Sequence, residues 1–121
     1  MLFSRLTLKL FLLFSAMTYL GIATATAGEA TKSKMLAAGK VHEECLNLNQ
    51  TQRLNYSFNA KSGLDFNIHY HVGQNVHYPV KQRGHKRYHG IFRPDGKRTY
   101  CLMWTNRTRN AVLINYELSA N

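Results

Sequence analysis

The chain has 121 residues, 45% hydrophobic and 18% charged, and its 16 Lys+Arg against 6 Asp+Glu give a formal net charge of +10. That length fits one small domain with a limited core, and so few carboxylates disfavour chemistry built on paired acids. The basic excess favours anionic partners such as lipid head groups, acidic glycans or nucleic acid.

Residues 1–27 read as a cleavable signal peptide: Arg5 and Lys9 supply the charged front, Leu10 to Ala23 the apolar run, and Ala25-Thr26-Ala27 the small-residue cleavage site. The apolar run is shorter than the ~20 residues that cross a bilayer. Gly28 rather than Cys follows the cut, so neither a membrane span nor a lipid anchor is expected. Export to the periplasm or the exterior also makes nucleic acid the least expected anionic partner. The mature product, Gly28 to Asn121, keeps 14 of the 16 Lys+Arg and all 6 acids, a formal net charge of +8.

Residues 28–40 are small, polar and basic, with Lys32, Lys34 and Lys40 among Ala, Thr and Gly, and read as a flexible lead-in. From residue 41 to residue 121 the pattern is that of a single domain with a period of two, the mark of half-buried strands. Leu54, Tyr56 and Phe58 alternate with polar residues, as do Leu64, Phe66, Ile68 and Tyr70; Val76, Tyr78 and Val80 continue the pattern. Tyr100, Leu102 and Trp104, then Val112, Ile114, Tyr116 and Leu118, complete it. Turn chemistry falls between the runs at Lys61-Ser62-Gly63, Val72-Gly73-Gln74-Asn75, Pro94-Asp95-Gly96 and Asn106 to Asn110. Lys81 to Arg87 is too polar for core and reads as an exposed loop. The pattern predicts an all-β fold, a small antiparallel β-sandwich.

Two cysteines, Cys45 and Cys101, in an exported chain imply one structural disulfide worth roughly 4 kcal/mol in the chain-entropy model. A catalytic or metal-binding pair is the alternative, which the lack of Cys-x-x-Cys spacing disfavours.

Five histidines lie between positions 69 and 89. His69 and His71 share one side of a strand and could present two imidazoles to copper or zinc, with His77, His85, His89 or Met103 completing the set only if the fold brings them round. The simpler reading is a polar strand face. Lys81, Arg83, Lys86, Arg87, Arg93, Lys97 and Arg98 cluster in the polar stretch, and their mutual repulsion is relieved if an anion or acidic surface meets them. No Gly-x-Ser-x-Gly elbow, phosphate-cradling glycine loop or His-Glu-x-x-His helix is present, and Glu43 and Glu44 would point to opposite faces of a strand, so no catalytic residue is expected. Asn49-Gln50-Thr51, Asn55-Tyr56-Ser57 and Asn106-Arg107-Thr108 fit the N-glycosylation acceptor pattern.

Glu44-Cys45-Leu46, Gly90-Ile91-Phe92 and Thr99-Tyr100-Cys101-Leu102-Met103-Trp104-Thr105-Asn106, followed by the alternating Val112, Ile114 and Tyr116, resemble a GOLD (Golgi dynamics) domain, the β-sandwich of emp24-type luminal cargo receptors and some lipid-binding proteins. The resemblance covers most of the mature chain and implies a GOLD- or jelly-roll-like sandwich whose cysteines bridge the sheets. No coiled coil, transmembrane helix or cytosolic tail accompanies these motifs, so it implies an interaction module rather than the whole cargo-receptor role. The expectation is an exported, non-catalytic binding module that meets an anionic surface or acidic partner through a basic loop. The competing expectation is a periplasmic copper or zinc protein.

Overall fold

A computed structural model describes residues 21–23 and 30–121. The expected leader lies outside the described residues apart from Gly21–Ala23. Among the described residues no helix is long and apolar enough to cross a membrane. Among the described residues, six antiparallel strands carry the fold: β1 (Lys32–Leu36), β2 (Val41–Leu48), β3 (Leu54–Val72), β4 (Asn75–Phe92), β5 (Arg98–Thr105) and β6 (Val112–Ala120).

The 19-residue β3 organises the sheet. Along one edge it pairs first with β6, over Leu54–Ala60, and then with β5, over Asp65–His69. Along the other edge it pairs with β4, interrupted by register shifts between Asn59 and Leu64, between Leu64 and Phe66, and between Ile68 and Tyr70. β1 adds to β6 and β2 to β5, giving the order β1-β6-β3-β5-β2 with β4 on the far edge of β3. The expected all-β antiparallel fold is present, as one sheet curled upon itself. β3 and β4 run through both halves of the curl, so the backbone ladder is never broken into two separate sheets.

The curl is explained by what each half must bury. Leu54, Tyr56 and Phe58 from the first half of β3, and Leu64, Phe66 and Ile68 from the second, are all 6% exposed or less. Their aromatic rings meet across the interior: Tyr56 stacks on Phe66 at 5.2 Å, and Phe58 meets Phe66 at 5.3 Å and the edge of Trp104 at 6.2 Å. Tyr100, Leu102, Trp104 and Ile114 from β5 and β6 are fully buried around them. A flat sheet would leave this face in water at roughly 25 cal/mol per Å² of apolar surface, so the halves close on each other.

The bend lies where the sequence predicts a turn. Lys61-Ser62-Gly63 stays within β3, and the chain does not reverse there. A Cβ on Gly63 would stand 2.7 Å from the carbonyl oxygen of Gly84, so the two backbones approach at a distance that only glycine permits. Gly84 has φ +68°, and its N–H donates to Asp65 Oδ1 at 3.0 Å. The real reversal is the Gly73-Gln74 turn between Val72 and Asn75; φ of +60° at the first central residue and no positive φ at the second is the type II′ pattern.

Two further segments differ from the sequence reading. Lys81 to Arg87 belongs to β4 and is not a loop, because a strand on the free edge of a sheet needs few apolar side chains. Residues 28–40, read as a flexible lead-in, contain β1: its backbone completes the open edge of β6, Leu36 is buried, and Ser33 Oγ donates to Asn115 Oδ1 at 2.6 Å.

The Cys45–Cys101 disulfide is present, and the two residues are directly opposed on β2 and β5 with Cα atoms 4.0 Å apart. It therefore joins neighbouring strands of one sheet and does not bridge two facing sheets as the GOLD resemblance implies. The far ends of the curl are joined by side chains. Lys32 of β1 pairs with Glu44 of β2, and Tyr116 Oη donates to Glu44 Oε2 at 2.7 Å. His42 Nε2 lies 2.8 Å from the same hydroxyl.

Candidate functional site

Alternation along β3 turns Asn55, Ser57, Asn59 and Lys61 outward on the first half of the curl, and the ladders extend this face to both sides. Asn59 stands opposite Arg87 of β4 and Asn115 of β6, and Asn115 stands opposite Ser33 of β1. The resulting row of amides and a hydroxyl ends at a guanidinium. A cleft of about 670 Å³ opens here, lined by Asn59, Lys61, Lys86, Arg87, Leu113 and Asn115 together with Ala60. All three cations are exposed, and among the described residues none is ion-paired. The next row places His89 opposite Ser57 and Ser57 opposite Glu117, whose carboxylate takes a hydrogen bond from Thr31 Oγ1.

The basic residues expected to act together are divided by the fold. Lys86 and Arg87 join this cleft, along with Lys61, which the sequence reading missed because 25 residues separate it from Lys86; only the β3–β4 pairing unites them. Lys81 and Arg83 line a cleft of about 410 Å³ on the other half of the curl, where Lys81 stands over the Tyr78 ring at 4.5 Å and Arg107 pairs with Asp65. Arg93, Lys97 and Arg98 lie at the β4–β5 connection. Arg98 is engaged within the protein, donating to Asp95 Oδ1 at 2.6 Å and Tyr100 Oη at 3.2 Å while lying 4.5 Å above the Tyr70 ring. The Tyr100 hydrogen bond is the main reason that its guanidinium holds its proton more tightly than usual, with Asp95 adding to the effect.

The histidines separate too. His69 and His71 meet edge to face at 5.3 Å on the outer side of the second half. His77 stacks on Tyr70, His85 contacts Tyr88 and Gln82, and His89 belongs to the opposite half, so none of these three joins the pair. Neighbours of other chemistry do join it. His69 is only 5% exposed; its Nδ1 lies 2.8 Å from Asn67 Oδ1 and its Nε2 3.5 Å from Glu43 Oε1. It stands opposite Cys101 in the β3–β5 ladder, and donor atoms of Glu43, His69 and Cys101 lie within 4.8 Å of one another. Burial lowers the His69 pKa; Glu43 opposes that effect and His71 adds to it.

On the opposite face of β2, burial lowers the His42 pKa, Glu44 opposes the effect, and Lys34 and Lys32 reinforce it. Burial would raise the Glu44 carboxyl, but hydrogen bonds from Lys32 and Tyr116 outweigh it and hold the group below the usual value. Burial and the Glu44 carboxylate together raise the Tyr116 phenol. Glu43 and Glu44 thus do point to opposite faces.

No protein-family model matches the chain. No curated protein matches it either. Among solved structures it is similar to "Solution NMR structure of a de novo designed double-stranded beta-helix", at a TM-score of 0.46 and 12% identity over 74% of this chain and 99% of that one.

Proposed function

We propose that the protein is an exported, non-catalytic binding module of GOLD-like type that holds an anionic group, carried by an acidic glycan or a lipid head group, on the face formed by Lys61, Lys86 and Arg87. One observation carries the reading: three cations with no ion-pair partner among the described residues line one cleft, beside the amides of Asn59 and Asn115. Guanidinium and ammonium groups give charge-assisted hydrogen bonds to phosphate, sulfate or carboxylate oxygens, and the amides supply further donors. Strands rather than a loop carry most of these residues, so the face is held in shape before a ligand arrives, which lowers the entropic cost of binding. The Cys45–Cys101 disulfide fits an oxidising compartment, and the leader pattern supports export to the periplasm or the exterior.

The test is capture by two immobilised probes, a polysulfated oligosaccharide and vesicles containing phosphatidylglycerol, each at low and physiological salt. Reversal of Lys86 and Arg87 to Glu is expected to weaken capture by at least one probe, and added salt to weaken what remains. Binding that ignores both the reversal and the salt contradicts the reading.

A further inference from the structure

The cluster around the disulfide is built in a way that a structural crosslink does not require. Cys45 is exposed, Cys101 is 7% exposed, and the crosslink between them needs neither Glu43 nor His69. Yet Glu43 Oε1 lies 3.4 Å from Cys45 Sγ and 3.5 Å from His69 Nε2. Donor atoms around a tetrahedral Zn²⁺ stand roughly 3.3–3.8 Å apart, given bonds of about 2.0 to 2.3 Å. Both contacts match such an edge. The His69 ring is also steered: with Asn67 Oδ1 taking the Nδ1 proton, Nε2 is the nitrogen directed at Glu43, the arrangement in which a metal-ligating imidazole is held by an outer hydrogen bond. Glu43 is 40% exposed, so an ion has a path in from solvent. Two mismatches stand in the oxidised form: Cys45 Sγ lies outside the set of donor atoms within 4.8 Å of one another, and the bonded sulfurs cannot act as two thiolate ligands while the bond exists.

We propose that Cys45, Cys101, His69 and Glu43 form a redox-gated zinc site, closed while the cysteines are joined and opened when an external dithiol, a small molecule or a dithiol oxidoreductase, reduces them. A thiolate of that dithiol attacks the exposed Cys45 Sγ; the Sγ–Sγ bond breaks and Cys101 Sγ leaves as a thiolate with the electron pair. The second thiol of the reductant, as its thiolate, then attacks its own sulfur in the mixed disulfide, which frees Cys45 Sγ and leaves the reductant as a cyclic disulfide. Two electrons pass from the reductant to the protein sulfurs. Its two protons, carried onto the cysteines or into solvent, are not retained once Zn²⁺ takes both thiolates. His69 Nε2 and Glu43 Oε1 complete a two-sulfur, one-nitrogen, one-oxygen tetrahedron. Opposed strand positions let the sulfurs part to ligand spacing by side-chain rotation, without unpairing β2 from β5. The site is independent of the anionic-ligand reading, since none of its four residues lines that face.

The experiment compares the protein with its disulfide intact and after dithiothreitol reduction and anaerobic removal of the reductant. Each form is titrated with Zn²⁺ by calorimetry and with Co²⁺ by absorption, while circular dichroism follows the strands. The reduced protein is expected to bind one ion per chain, at least about 100-fold more tightly than the oxidised protein, and to show the sulfur-to-cobalt charge-transfer and intense visible bands of tetrahedral thiolate coordination. His69→Ala should weaken the reduced site, and Asn67→Ala should cost about 10-fold by releasing the ring. If reduction unfolds the strands, recovery of the strand signal on adding Zn²⁺ supports the proposal, and failure to recover it at saturating Zn²⁺ overturns it. Equal affinity of the oxidised and reduced forms, or reduced His69→Ala binding as tightly as the parent, also overturns it.

Discussion

Asn106 illustrates how one polar side chain can fix a region. It is fully buried; its Nδ2 donates to the carbonyls of Leu36, Ala37 and Asn110 at 3.0, 3.2 and 2.8 Å, and its Oδ1 accepts from Thr108 N and Oγ1. It ties the β5–β6 loop to the β1–β2 connection. Asn106→Ala leaves the buried Leu36 carbonyl, and the part-buried carbonyls of Ala37 and Asn110, without this donor and is expected to cost about 3 kcal/mol, read as a lower urea midpoint with an unchanged slope. The Asn-Arg-Thr acceptor pattern is therefore closed to glycosylation in the folded chain, something that the motif alone does not reveal. His42 supports a second prediction. Its folded pKa is lowered, as is that of His69, so the unfolded chain binds protons more readily at both positions. Their contribution to stability is complete above the ordinary value of about 6.5 and is lost as pH falls from there through the folded values. Urea midpoints measured from pH 8 to pH 5 should decline for the parent and decline less for a His42→Gln, His69→Gln variant; identical pH profiles would contradict the assignment.

At the level of elements, the bent β3–β4 hairpin decides the architecture, and Gly63 is its narrowest point. Gly63→Ala forces a Cβ against the Gly84 carbonyl and is expected to destabilise by about 2 kcal/mol, seen as a depressed thermal midpoint. An unchanged midpoint would show that the strands can separate there at no cost. The sequence made the core legible but not the connectivity. Leu54, Tyr56, Phe58, Leu64, Phe66 and Ile68 alternate visibly and are buried as expected. Lys61-Ser62-Gly63 carries the same composition whether the chain reverses or merely bends, and only the β4 partner distinguishes the two. β4 was obscured for a related reason: a strand on the free edge with Lys81, Arg83, Lys86 and Arg87 shows little apolar period to read. Val76 and Tyr78 alternate well yet remain 38% and 44% exposed, because the second-half end of the hairpin projects past the core. The disulfide was legible from cysteine count and the leader pattern; the pairing of His69 with Cys101 across β3 and β5 was not, since 32 residues separate them.

For the whole molecule, the formal net charge of +10 does not say where on the surface a partner is met. Lys32, Arg98 and Arg107 are neutralised by Glu44, Asp95 and Asp65, and those carboxylates lie away from the Lys61, Lys86 and Arg87 face. Binding is therefore assigned to one face and not to net charge in general, and a charge-matched comparison separates the two most directly. Affinity for a polysulfated oligosaccharide and for phosphatidylglycerol vesicles at physiological salt is to be measured for the parent, for Lys61→Gln, Lys86→Gln, Arg87→Gln, and for Arg93→Gln, Lys97→Gln, Arg109→Gln, which removes the same number of charges elsewhere. The first triple variant is expected to lose about tenfold or more in affinity for at least one probe, about 1.4 kcal/mol or more, and the second to stay within about twofold of the parent. Equal losses in the two variants, or none in the first, would contradict this assignment.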